Sequence, residues 1–65
     1  MKILITQVRK EKGLSGAELS RRTNIPKSTL NDLENEIRSP RLDQLEKIAI
    51  ALGCKINDLF DTEYK

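Results

Sequence analysis

The chain has 65 residues, enough for one small domain, and its twelve Lys and Arg exceed its ten Asp and Glu by only two charges. So small an excess excludes a polybasic tail that coats nucleic acid indiscriminately. Histidine is absent and Cys54 is the single cysteine, so no internal disulfide can form and the commonest general base and metal ligand is missing. We therefore expect no enzymatic activity, no metal site and no cofactor.

The mostly apolar start of the chain, Met1 to Ile5, is too short for a signal peptide or a membrane span. This favours a cytoplasmic protein with no membrane partner.

The first two predicted helices are separated by a glycine. The first runs from about Ile3 to Lys12 and stops at Gly13, with its core positions at Leu4, Ile5 and Val8. The second starts at Ser15, because Ser15 and Glu18 have the spacing of a capping box. Its residues predicted to face inward are Ala17, Leu19 and Ser20, and those predicted to face outward are Arg21 and Arg22.

A tight turn and a short third helix follow. Asn24 tolerates the left-handed backbone that a turn can require, and Pro26 restricts φ to a value that suits a helix start. The third helix runs from about Lys27 to Asn35, and its apolar residues Leu30 and Leu33 can face the same core as Leu14, Ala17, Leu19 and Ile25. The side chains left pointing outward are Lys27, Ser28, Asn31 and Asp32. A short helix with such a face can lie in the major groove of DNA.

The last predicted elements are also helical. Ser39 and Pro40 have the pattern of an N-cap followed by proline at the first helical position, and Gly53 ends this fourth helix. Its inward stripe consists of Leu42, Leu45, Ile48, Ala49 and Leu52. A short fifth helix from about Ile56 to Asp61 supplies Leu59 and Phe60. No alternation indicates a strand, so the pattern predicts an all-α fold of five helices.

The ordered motifs resemble the phage-repressor, Cro and Xre family of DNA-binding domains, over nearly the whole chain from Ile5 to Phe60. The residues that carry the resemblance are Val8-Arg9, Gly13-Leu14-Ser15, Ala17-Glu18-Leu19-Ser20, Leu33-Glu34-Asn35, Pro40, Leu45, Ile48-Ala49, Ala51-Leu52-Gly53 and Leu59-Phe60. The resemblance implies one compact five-helix, lambda-repressor-like domain over residues 1–65, with its helix-turn-helix at about residues 15–35.

The resemblance also implies roles for individual residues. Contacts with base edges would come from the recognition helix, at Lys27, Ser28, Asn31 and Asp32. Contacts with phosphates would come from Ser15, Gly16, Thr29, Asn35, Arg38 and Arg41. A structural salt bridge would join Arg9 to Glu34.

Several positions depart from the family pattern. Ser20 stands where Ala is usual, Asn24 where Gly is usual, and Pro26 where a Ser or Thr cap is usual. Glu36 stands where Gly is common, and Ile37 where Lys or Arg is common. The last two place a negative charge and an aliphatic side chain near the expected DNA edge.

The favoured function is a repressor-like transcription regulator that binds a palindromic operator in double-stranded DNA as a homodimer. Ile50 and Ile56 are the expected dimer contacts. Ile50 lies outside the inward stripe of its helix, and the resemblance implies dimer contacts around Ile56, at the turn into the fifth helix. The alternative is an antitoxin-type protein, which binds a toxin as its protein partner and represses its own promoter. An enzyme is disfavoured, because the sequence has no nucleophile elbow, ligand cluster or phosphate-binding glycine loop.

Overall fold

The computed structural model describes residues 1–65 and contains four α-helices, one 3₁₀ helix and a pair of two-residue strands. In chain order these are β1 (Lys2–Ile3), α1 (Ile5–Glu11), α2 (Gly16–Thr23), α3 (Lys27–Glu34), α4 (Leu42–Leu52), the 3₁₀ helix (Ile56–Leu59) and β2 (Phe60–Asp61). The fold is mostly helical, as predicted, but the expectation of five helices is wrong.

The two strands join the ends of the chain, and the sequence did not indicate them. Lys2 pairs with Asp61 and Ile3 with Phe60 in an antiparallel register, and the Leu4 amide donates to the Leu59 carbonyl at 2.8 Å. Ile3 therefore lies outside α1, and the predicted fifth helix ends after one 3₁₀ turn. Two-residue strands are too short to show the alternation that identifies a strand, so only pairing with the other end of the chain defines them.

Every helix and the 3₁₀ helix contributes to one hydrophobic core. Its buried members are Ile5, Leu19, Ile25, Leu30, Leu33, Leu45, Ile48, Ala49, Leu52 and Leu59. Val8 and Leu14 are half-buried against it. Two predicted core positions are wrong: Ala17 is exposed, and Leu42 is 76% exposed. Both lie in the first turn of their helices, where the helical repeat continues but no neighbouring element covers the side chain.

The start of α4 also differs from the prediction. Arg41, rather than Ser39, precedes the first helical residue, and the Arg41 amide donates to Gln44 Oε1 at 2.9 Å. Pro40 lies two residues before the helix instead of at its first position. Gln44 can satisfy that amide only if the helix begins at Leu42, which favours the later start.

The turn between α2 and α3 is held by local hydrogen bonds. Asn24 ends α2 in the left-handed region, with φ +61°, as the sequence predicted. Ser20 Oγ donates to the Ile25 carbonyl at 2.6 Å, and Thr23, which is buried, donates to the Leu19 carbonyl at 2.7 Å. The Thr23 hydroxyl also accepts from the Ile25 amide. These bonds hold the connection between the two helices in one conformation.

Candidate nucleic-acid interface

The outer face of α3 is the clearest candidate surface. Leu30 and Leu33 are buried on one side of this helix, so the helical repeat turns other side chains outward. Lys27, Ser28 and Asn31 are exposed, while Asp32 and Thr29 are half-buried. The face therefore offers an ammonium group, a hydroxyl and an amide, which together can donate to and accept from base edges.

The first turn of α2 lies beside the start of α3. A Cβ built on Gly16 would be 3.7 Å from Lys27 Cε, so the stem of Lys27 passes close to this helix start. Ser15 Oγ accepts from the Glu18 amide at 3.1 Å, and Glu18 Oε1 accepts from the Ser15 amide at 3.3 Å. Hydrogen bonding to the Glu18 carboxylate, first by the Ser15 amide and then by the Ser15 hydroxyl, lowers the pKa of Glu18. The helix start thus combines a capping box with the positive end of a helix dipole.

The loop after α3 folds back onto that helix. The amides of Ile37 and Arg38 both point to the Asp32 carbonyl, at 2.9 and 3.3 Å. The Arg38 side chain follows, with Nε 3.2 Å from Asp32 Oδ2. The structure thereby brings together one residue predicted to contact bases and one predicted to contact phosphates.

The remaining phosphate candidates are placed differently. Asn35 Nδ2 donates to Asn31 Oδ1 at 3.3 Å, so these two exposed side chains also meet at the end of α3. Arg41 is exposed, and its ion partner is Asp43 on the first turn of α4, with Nε 3.3 Å from Oδ1. No bond links Arg41 to the α3 face.

An ion pair joins α1 to the end of α3. Arg9 Nε lies 3.0 Å from Glu34 Oε1, and the two side chains are only 16% and 9% exposed. The same carboxylate oxygen accepts from Thr6 Oγ1 at 2.7 Å, and the Arg9 guanidinium also donates to the Leu14 carbonyl at 3.0 Å. This cluster ties the C-terminal end of α3 to α1 and to the residue that follows the α1 turn.

Two residues of this region were not identified from the sequence, Thr6 and Thr23, and Glu36 was noted only as a negative charge near the DNA edge. Thr6 lies three residues before Arg9, a spacing that places both on one face of α1 and was a usable signal. Thr23 bonds to backbone groups only two to four residues away, and no motif in the sequence indicated those bonds. Glu36 did have a signal, since a position where Gly is common points to a left-handed backbone, but its bond to Ile3 depends on the fold. Glu36 has a left-handed backbone with φ +61°, and its Oε1 accepts from the Ile3 amide at 2.8 Å.

The predicted dimer residues have different surroundings. Ile50 is 75% exposed on α4, whereas Ile56 is half-buried and packs against the core. Other exposed apolar side chains are Met1, Ile37 and Tyr64.

The remaining features to consider are the Cys54 thiol, groups of possible metal ligands and the length of the helices. Partial burial, followed by the nearby Asp58 carboxylate, raises the pKa of the Cys54 thiol, which disfavours the reactive thiolate. No group of three His, Cys, Asp or Glu side chains is placed to hold a metal ion. None of the helices combines the length and apolar character that a membrane crossing needs.

Two short helices joined by a left-handed turn, the second with an exposed polar face, define a helix-turn-helix protein. The helix-turn-helix family matches residues 5–59, and the chain belongs to that family. The resemblance inferred from the sequence is confirmed.

The relatives are named as regulators. The chain is 34% identical over 62 residues to the HTH-type transcriptional regulator SinR of Bacillus subtilis, covering 94% of this chain and 56% of SinR. It is 34% identical over 59 residues to the immunity repressor protein of Bacillus phage phi105, covering 91% of this chain and 41% of the repressor. The chain thus spans about half the length of these curated relatives.

A shorter relative and a solved structure match over most of their length. An uncharacterized HTH-type transcriptional regulator of Methanothermobacter thermautotrophicus is 41% identical to this chain over 61 residues. The match covers 92% of this chain and 88% of that regulator. The structure of the N-terminal DNA binding domain of SinR from Bacillus subtilis superposes with a TM-score of 0.80 at 34% identity, covering 94% of this chain and 90% of that domain.

Proposed function

We propose that this chain is a sequence-specific double-stranded DNA-binding transcription regulator that acts in the cytoplasm as a repressor. The observation that carries the proposal is the exposed polar face of α3, presented by a helix-turn-helix that matches a DNA binding domain at a TM-score of 0.80. In this proposal residues 1–65 form one DNA-binding domain. Its role is binding, with no catalytic step and no cofactor.

Base recognition is assigned to the exposed face of α3. The Lys27 ammonium is at the helix start and can donate to guanine O6 and N7. Asn31, one turn later, can form two hydrogen bonds with adenine, and Asp32 can accept from a cytosine amino group. Ser28 both donates and accepts, so it adds affinity with little discrimination.

Phosphate binding is assigned to the borders of that face. At the start of α2 the Gly16 amide and the Ser15 hydroxyl can donate to one phosphate, while the Ser15 amide is already bonded to Glu18. After α3, Asn35 and Arg38 are exposed and can bind a second phosphate of the DNA backbone. Thr29 and Arg41 are further candidates. Such contacts fix the position of the protein on DNA, while the α3 face specifies the sequence.

We further infer that the chain acts as a homodimer on a palindromic operator. One recognition helix covers few base pairs, and a two-fold dimer reads two half-sites about 34–36 Å apart. Ile50, exposed on α4, and Ile56, in the 3₁₀ helix, support a contact through this end of the molecule.

Selection of bound sequences from a random double-stranded DNA pool tests the proposed function. Enrichment of one motif, with tighter binding to it than to a scrambled duplex of equal length, is the expected result. A matched arm measures binding to single-stranded DNA of the selected sequence, which we expect to be much weaker than binding to the duplex. Equal binding to selected and scrambled duplexes would contradict the proposal.

A further inference from the structure

Glu36 is the feature of this fold that the proposed function leaves unexplained. It is one of two non-glycine residues with positive φ, the other being Asn24 in the helix-turn-helix turn. A left-handed backbone is tolerated by Gly and by Asn, but it crowds the Cβ of a residue such as Glu. Something in the fold must offset that cost.

The offset is a hydrogen bond to the start of the chain. Glu36 Oε1 accepts from the Ile3 amide at 2.8 Å, across 33 positions of sequence. Ile3 pairs on its other side with Phe60, so the N-terminal strand is held between β2 and the Glu36 carboxylate. Met1 and Ile3 line a cleft of about 320 Å³ together with Glu36 and Arg38 of the loop.

The same loop presents Arg38. On the helix side, the loop is held by its bonds to the Asp32 carbonyl and by the ion pair between Arg38 and the Asp32 carboxylate. On the side away from α3, the loop is joined to the N-terminal strand by the hydrogen bond from the Ile3 amide to Glu36. The conformation that aims Arg38 is therefore fixed from both sides.

We propose that Glu36 is a positioning residue for phosphate binding, because its bond to the Ile3 amide keeps the loop left-handed and Arg38 preorganised. The proposal rests on the proposed function, since it assumes that Arg38 contacts DNA. The carboxylate itself repels phosphates, so its charge and its hydrogen bond act on DNA binding in opposite directions.

Three substitutions separate these effects. Glu36→Gln and Glu36→Ala remove the same charge, but only Gln keeps an oxygen that can accept from the Ile3 amide. Glu36→Gly removes the acceptor as well, but it adopts positive φ without strain. Glu46→Gln, on the exposed side of α4, is the control for a lost charge away from the loop.

The first measurement is the order of the N-terminal strand in the free protein, by ¹⁵N relaxation of residues 2–4. We expect order to persist in Glu36→Gln and to be lost in Glu36→Ala and Glu36→Gly. An ordered strand in Glu36→Ala would overturn the proposal. Thermal unfolding by circular dichroism confirms that each variant is folded at the working temperature.

The second measurement is affinity for the selected DNA site by fluorescence anisotropy. Glu36→Ala is expected to bind about five-fold more weakly than Glu36→Gln, and Glu36→Gly is expected to recover most of the loss, because the cost of a left-handed backbone is removed. In an Arg38→Ala background the difference between Gln and Ala at position 36 should vanish. Equal binding by Glu36→Gln and Glu36→Ala would overturn the inference, whereas an Arg38→Ala variant that binds like the parent would overturn the phosphate role itself.

Discussion

At the scale of single residues, Glu34 is the acidic partner of the ion pair that joins α1 to α3. One carboxylate oxygen accepts from Thr6 Oγ1 at 2.7 Å and from Arg9 Nε at 3.0 Å, in a position where little water reaches. Burial of a charge is offset only while its partner and hydrogen bonds are present, and the same charge left alone is strongly unfavourable. Glu34 therefore matters to stability through the groups that its loss would leave behind.

We expect Glu34→Ala to lower the free energy of unfolding by roughly 2–4 kcal/mol, because Arg9 would remain buried without its partner. Urea denaturation of the free protein measures the change. Asp43→Ala breaks the exposed pair with Arg41, whose side chains are 73% and 59% exposed, and should cost under about 1 kcal/mol. A Glu34→Ala protein of unchanged stability that still failed to bind DNA would instead assign Glu34 a direct role at the interface.

Lys27 is the residue on which base discrimination should depend most. We expect Lys27→Ala to lose about 1–3 kcal/mol of affinity for the selected site and to relax the preference at one base pair. Arg38→Ala is the comparison variant, since a lost phosphate contact weakens all sequences about equally and reduces the salt dependence of binding. Retention of full discrimination by Lys27→Ala would refute the assignment.

At the scale of elements, the start of α2 is stabilised by the reciprocal bonds of Ser15 and Glu18. We expect Ser15→Ala to cost about 1 kcal/mol of unfolding free energy, because an amide of the first turn loses its acceptor. Ser39→Ala is the matched control: Ser39 has the sequence pattern of a cap, but the structure starts α4 after Arg41. Equal losses from the two substitutions would contradict the observed caps.

Acidity should weaken the same element. The pKa of Glu18 is lowered in the folded chain, first by the hydrogen bond from the Ser15 amide. A carboxyl group with a lowered pKa stabilises the fold above its unfolded pKa, and this contribution is lost as pH falls through the folded pKa. The parent should therefore lose more stability than Glu18→Gln between neutral pH and about pH 3 in urea titrations. Parallel pH profiles for the two proteins would show that this bond contributes nothing.

At the scale of the whole molecule, a 65-residue domain buries a small core and gains stability from any partner. Ile50 is 75% exposed, so Ile50→Lys can test the proposed dimer without disturbing the core. Ile56→Lys is less suited, because Ile56 is half-buried against the core and its replacement would also destabilise the fold.

We expect the parent to bind the palindromic site as two chains and Ile50→Lys to bind it more weakly and with less cooperativity. Analytical ultracentrifugation with labelled DNA measures the stoichiometry. Leu42→Lys, 76% exposed at the other end of α4, is the control that should leave assembly unchanged. One protein chain per palindromic site at saturation would refute the dimer.

The local signals in the sequence determined much of the architecture. The capping box at Ser15 and Glu18, the left-handed Asn24 and the spacing of Leu30 and Leu33 identified α2, the turn and α3, because each of these effects acts within a few residues. The exposed face of α3 followed from the same spacing.

Tertiary structure alone decided the rest. Ile3 entered a strand because Phe60 lies beside it, and Leu42 faced solvent because no element covers the first turn of α4. The Glu36 to Ile3 bond likewise joins residues 33 positions apart. Such contacts depend on which distant segments meet, and neither helical periodicity nor capping patterns carry that information.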